Sequence, residues 1–232
     1  MITRLAQCLT RVLILCVCVG LFPHPVRGEY AVGLCGEPQA EYCGNAFDRV
    51  VSLLDTNGNG VSDTDDLIAG AREEVARAPG YVSRYHRGGF PPDDEGVCTD
   101  LVWRAFRYAG YDLKRLVDAD IRAEPAAYPR ARKPDANIDF RRVPNQRAFF
   151  ARHGLTLSTA IIPGDADNLS AWQPGDIVTF TNPDHIAILS DRRNAEGIPF
   201  LLHNDGPVAS EEDAFMRWYE RGITGHYRFP PQ

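Results

Sequence analysis

The apolar period of this chain changes near residue 154, and that change limits the folds open to it. Before that point, apolar residues recur three and four apart. Leu101, Val102, Ala105, Phe106 and Ala109 form the buried stripe of a helix over Cys98–Ala109, which Gly110 stops. Similar patterns predict helices over residues 46–54, 65–78, 113–119 and 145–153, the last with Gly154 as its C-cap. Beyond it come short apolar runs bounded by Pro174-Gly175 and Asn182-Pro183, predicting strands over 176–180, 185–190, 198–203 and 225–229. Helices first and an antiparallel sheet after them define an α+β fold, with N-terminal helices packed on the sheet. Residues 111–144, rich in Pro, Asp and Arg, read as an irregular segment suited to cleft walls.

The start of the chain has another character. Arg4 and Arg11 precede an apolar run from Val12 to Phe22, and Pro23 and Pro25 follow it. The run is shorter than the roughly 20 residues that span a bilayer. It reads as a secretory leader over residues 1–28, cleaved near Val26-Arg27-Gly28; left uncleaved, it would be a membrane anchor. Cys16 and Cys18 leave with it. Export to the periplasm or outside the cell implies an oxidising compartment, where Cys35 and Cys43 are expected to pair. Residues 29–64 read as an arm tied by that bridge, and 65–232 as the functional domain. A net charge of −6 argues against nucleic acid as a partner, since phosphate backbones reward basic patches. A monomer is expected.

Cys98 is then left without a disulfide partner, at the first turn of a predicted helix. One reading is a buried, inert thiol, the usual state of a free cysteine. The other is a nucleophile, because His185 and His203 stand on two later strands. A symmetric hairpin centred on Asn194 would set the two histidines directly opposite each other on one face. One imidazole could then act as base while the other orients it. Asn204 and Asp205 compete with His203 for the orienting role. A one-residue slip would turn one histidine away, and Pro199, lacking a backbone donor, predicts an edge strand or a bulge. The helix N-terminus and a nearby imidazolium are expected to lower the pKa of Cys98, with Asp93, Asp94 and Glu95 pointing away.

Gly96-Val-Cys98-Thr-Asp, Trp172-Gln-Pro-Gly-Asp-Ile-Val, His185-Ile-Ala-Ile-Leu-Ser-Asp and His203-Asn-Asp-Gly-Pro together resemble the NlpC-like branch of the papain-like cysteine peptidases. Within it, the chain is most similar to a bacterial family of uncharacterised exported domains. Residues 134–145 and the run Gly225-His-Tyr-Arg carry the same likeness. The resemblance covers about residues 65–229. It implies a papain-like core, with Cys98 as nucleophile, His185 as base and His203 as third polar residue. It also implies a peptide or amide bond of peptidoglycan stem peptides as substrate, and no cofactor for catalysis. The nucleophile motif departs from the Asp-Cys-Ser-Gly usual there. Thr99, Asp100 and Asn204 are the expected substrate contacts, though Asp100 reads equally as a first-turn helix acid.

Asp55-x-Asn57-x-Asn59-Gly60-x5-Asp66 matches a calcium-loop pattern except for Asp at the last place. Its ligands would be Asp55, Asn57, Asn59, the Val61 carbonyl and Asp66, with a structural role. The alternative is a solvated turn between two helices. Arg141 and Arg142 could grip a substrate carboxylate or form ordinary ion pairs. His86, His153 and His226 have no partner pattern. Two rival functions remain: a zinc site built from Cys98, His185 and His203, and a cell-wall-binding module without turnover.

Overall fold

The computed structural model describes residues 48–231. The expected leader and the Cys35–Cys43 bridge lie outside them. No helix among the described residues is long and apolar enough to cross a membrane. The described fold is α+β, as the change of period predicts.

Helix α1 (Asp63–Arg77) starts where Ser62 accepts a hydrogen bond from the Asp65 N–H at 3.2 Å, and Asp63, Asp65 and Asp66 fill its first turn. Acids there are favoured by the positive end of the helix dipole. Two short strands, β1 (Gly80–Tyr81) and β2 (Glu95–Gly96), pair in parallel just before α2 (Cys98–Tyr108). α1 lies so close to α2 that a Cβ on Gly70 would fall 2.5 Å from that of Tyr108. Only glycine allows that approach. A buried ion pair joins the two helices, Arg104 Nη1 to Glu74 at 2.8 Å, and the same guanidinium donates to the carbonyls of Pro92 and Glu95.

α3 (Leu113–Ala123) begins at an Asp112 cap and buries Leu113, Val117 and Ile121. It runs four residues past its expected end. α4 (Val143–His153) is preceded by a single 3-10 turn at Asp139–Arg141. The helix expected over 46–54 is absent from its described part. Residues 48–54 are irregular there and held from outside: Val50 donates to the Gln173 side chain, and Ser52 to Thr64.

The remaining elements are β3 (Leu155–Thr156), α5 (Ala166–Ser170), β4 (Ile177–Phe180), β5 (His185–Arg193), β6 (Pro199–His203), β7 (Ser210–Glu212), α6 (Phe215–Gly222) and β8 (Ile223–Arg228). Six strands form one antiparallel sheet in the order β3-β8-β4-β5-β6-β7. Alternate residues face opposite sides. Ile186, Ile188 and Leu202 join the cluster under α1–α4, whereas Ala187, Leu189 and Leu201 join a second with Trp172, Phe215 and Trp218. Full burial of side chains such as Phe106 and Phe180 contributes about 1.5–3 kcal/mol each.

Asp176 and β8 close the sheet through a buried ionic hub. His226 Nε2 is 2.8 Å from Asp176, and Arg228 holds both oxygens of the same carboxylate at 2.7 and 2.8 Å. Trp172 stacks on the His226 ring at 4.1 Å. His226, to which the sequence gives no role, is fully buried. The two quoted motifs that contain Trp172, Asp176, His226 and Arg228 therefore serve the fold.

Candidate functional site

α2 places Cys98 at its first turn, against the start of β5. The backbone amides of Ile186, the residue after His185, and of Thr99 bear on the sulfur and favour its thiolate. The Cys98 side chain is buried, and that burial pushes its pKa up to about 12, with the Asp100 charge acting the same way. This corrects the expectation of a lowered pKa: desolvation outweighs the helix N-terminus. The acid that bears on the sulfur is Asp100, two residues downstream, while Asp93 and Asp94 are exposed.

Asp100 is fully committed to the fold. Its carboxylate accepts from the Val97 N–H at 2.8 Å, which caps α2, and from Trp103 Nε1 at 3.0 Å. Arg141 grips both of its oxygens. The Thr99 hydroxyl donates to the Arg141 carbonyl at 3.0 Å, and Gln146 Nε2 donates to the Thr99 and Phe140 carbonyls. Asn204 Nδ2 donates to the Pro79 carbonyl, and its Oδ1 accepts from Gly206. The expected substrate contacts Thr99, Asp100 and Asn204 are thus buried and bonded to their own chain. Arg141 is likewise spent, leaving only Arg142 half-exposed. The segment 134–145 that carries the family likeness helps brace the N-terminus of α2.

The histidines meet on the sheet face that α6 covers. His185 Nε2 and His203 Nδ1 are 2.8 Å apart, and His203 Nε2 is 3.1 Å from Glu212 Oε1 on β7. Observed pairs are Ile188 with Leu202 and Leu189 with Leu201. That register is two residues away from the symmetric hairpin, so the histidines are diagonal neighbours and not directly opposed. A shift of two keeps both on one face, where a shift of one would have parted them. The irregularity lies between Leu189 and Arg193, beside Pro199, so the bulge foreseen for Pro199 is present; β6 is an interior strand, paired on both sides. Asp205 pairs with Arg217 at 3.3 Å. Of the three candidate orienters, His203 is the one bonded to His185.

The proton positions follow from this chain of contacts. Glu212 is held down at about pKa 2, first by the His203 hydrogen bond and further by Arg217, so its oxygens only accept. His203 Nε2 then donates to Glu212, and the tautomer of the pair sets which nitrogen carries the proton between His203 Nδ1 and His185 Nε2. His185 is kept well below its ordinary pKa by burial, then by His203, Arg217 and Arg221, so it is neutral. Its Nδ1 has no hydrogen-bond partner among the described residues. Trp218 stacks on the His185 ring at 4.0 Å and fixes its plane.

Glu212, Trp218 and Tyr81 join this site without having been foreseen. Tyr81 is half-exposed on β1, and its hydroxyl pKa is raised by burial and then by Cys98, Asp205 and Asp100. No local pattern marks any of the three, because their contacts cross between elements far apart in sequence.

Cys98, His185 and His203 are not a compact metal-ligand set. Among the described residues the group with converging ligand atoms is His203, Asp205 and Glu212, within 4.8 Å of one another, and Arg217 already pairs with both carboxylates. Asp55, Asn57, Asn59 and Asp66 do come together. Asn57 and Asn59 donate their amides to Asp66, and Asp55 accepts from the N–H groups of Asn59 and Gly60. The Val61 N–H is held by the Asn59 side chain. These bonds lie within the loop, and residues 48–54, where the calcium pattern calls for an entering helix, are irregular.

The fold and site define an α+β domain that carries a Glu-His-His relay on an antiparallel sheet and a buried thiol at the first turn of α2. The chain belongs to the family described as "Domain of unknown function (DUF1287)", which matches residues 68–229. It is 38% identical over 179 residues to "Uncharacterized protein YijF" of Escherichia coli (strain K12), covering 72% of this chain and 83% of that protein. No solved structure matches it.

Proposed function

We propose that the protein is an exported cysteine hydrolase of the NlpC-like, papain-like kind, cleaving peptide or amide bonds of peptidoglycan stem peptides. The observation that carries the reading is the 2.8 Å contact between His185 Nε2 and His203 Nδ1. In the tautomer where His203 donates to Glu212 and accepts from His185 Nε2–H, the Nδ1 lone pair of His185 is the base for the thiol proton.

In this proposal the resting pair is a neutral thiol and a neutral imidazole. The proton passes from Cys98 to His185 Nδ1 as sulfur attacks the carbonyl carbon. His185 then returns it to the departing amine, giving a thioester that water hydrolyses. His203 and Glu212 orient the ring and stabilise its positive charge. The Cys98 N–H, at a helix N-terminus, and the Tyr81 hydroxyl are the proposed donors to the oxyanion. Catalysis needs no cofactor, and the loop from Asp55 to Asp66 is assigned a structural role only. The test is mass spectrometry of wall fragments digested by the wild type and by Cys98→Ala. New amine or carboxyl termini made only by the wild type support the reading, and identical fragment patterns reject it.

A further inference from the structure

A pocket opens along the C-terminal stretch of α2. It has a volume of about 480 Å³ and is walled by Phe90, Trp103, Tyr111 and Leu113, with Arg107 and Asp93 among its polar lining. Nine helix positions separate Cys98 from Arg107, about 14 Å along the axis at the usual rise. It is therefore distinct from the thiol site, and nothing in it rests on the proposed hydrolase reading.

The pocket walls are fixed. Trp103 donates its indole N–H to Asp100, and Tyr111 is tied through its hydroxyl to Thr56 and Asp63. Phe90 packs edge-on against Trp103, with ring centroids 5.1 Å apart, yet is half-exposed at the mouth. These rings offer apolar surface and no hydrogen bonds.

The charges sort by whether they are already used. Lys114 is paired with Asp118 at 2.5 Å, and Asp112 caps α3. Arg107 lies 4.9 Å over the Trp103 ring and makes no ion pair among the described residues. Asp93 is exposed and likewise makes no ion pair among them. One cation and one anion line the same pocket without pairing. A planar guanidinium suits a carboxylate, which it can hold through two hydrogen bonds, and a carboxylate suits an ammonium.

From this complementarity we infer that the pocket binds a zwitterion with an apolar side chain, a free hydrophobic amino acid or a short peptide. The ligand carboxylate sits on Arg107, its ammonium on Asp93 and its side chain among Phe90, Trp103 and Leu113. The volume is within the usual range for small-molecule sites.

Calorimetric titration of the full chain with l-phenylalanine tests this, with N-acetylphenylalanine and phenylalaninamide as probes that each lack one charge. Arg107→Gln and Asp93→Asn alter exposed side chains, and circular dichroism checks that both fold. Each should weaken l-phenylalanine by on the order of tenfold, which corresponds to about 1.4 kcal/mol. The acetyl derivative should be indifferent to Asp93→Asn, and the amide indifferent to Arg107→Gln. No heat up to about 10 mM ligand, weaker than any useful free energy of binding, overturns the inference. So does l-phenylalanine binding that neither substitution changes.

Discussion

Arg141 holds Asp100 through both carboxylate oxygens, at 2.7 and 2.8 Å, two residues beyond the candidate nucleophile. Both side chains are almost wholly shielded from water. Asp100 at once caps α2 and anchors the Trp103 indole, so the pair fixes the helix end that carries Cys98. Removing one partner strands a buried charge. Arg141→Met should lower unfolding free energy by about 3–5 kcal/mol, read as a fall in the urea midpoint. A double variant, Arg141→Met with Asp100→Asn, should recover part of the loss. A single variant as stable as wild type would show that the pair does not brace the helix.

The reactivity of Cys98 follows from its burial. With its pKa at about 12, iodoacetamide should label the resting protein slowly at neutral pH, and the rate should climb steadily through alkaline pH. Labelling already at its plateau at pH 7 would contradict the neutral thiol. Because the pKa of His185 lies well below 6.5, the base is available down to mildly acidic pH. The acid limb of kcat/KM, measured on wall fragments, should therefore fall below pH 6.5.

The histidine relay predicts an order of losses. His185→Ala removes the base and should cost on the order of 100- to 10,000-fold in rate. His203→Asn keeps an amide oxygen that can accept from His185 Nε2–H, so measurable activity should remain, with His203→Ala between the two. Glu212→Gln can still accept from His203 but carries no charge, and should lower kcat more than it changes KM. His203→Ala with wild-type kcat would remove His203 from the mechanism.

Glu212 also links the site to pH stability. Its folded pKa is about 2, against an ordinary 4.5. A depressed pKa gives stability that is complete above the unfolded value and is lost as pH falls from about 4.5 towards 2. Thermal melts over that window should show a smaller acid loss for Glu212→Gln than for wild type. The effect should be modest, because the carboxylate is partly exposed and water screens it.

Much of this architecture was legible where local pattern and packing agree. The stripe on Cys98–Tyr108 announces α2, and the apolar runs at 177–180 and 185–190 announce the two central strands. The hairpin register was misjudged by two because nothing in the pattern marks the irregularity between Leu189 and Arg193. α6 went unseen: it is eight residues long, and its N-cap, Ala214, supplies no side-chain acceptor. Asp100 stays open between two readings for a different reason. Its role depends on Arg141, 41 residues later, and a lone acid in a first turn looks alike whether it meets substrate or a buried guanidinium. Glu212 was invisible on the same grounds, as a contact reaching His203 from the neighbouring strand.

β8 occupies a place in the sheet that its place in the chain does not suggest. Residues 223–228 insert between β3 and β4, and so pair with strands that were synthesised earlier and lie about 20 residues apart from each other. Until that last strand arrives, an emerging chain carries two unpaired strand edges and an Asp176 without His226 or Arg228. Open edges are templates for pairing with other chains. The interval between the synthesis of β4 and the arrival of β8 is thus the stage at which this protein is most exposed to misassembly, and a chaperone that shields strands would act there.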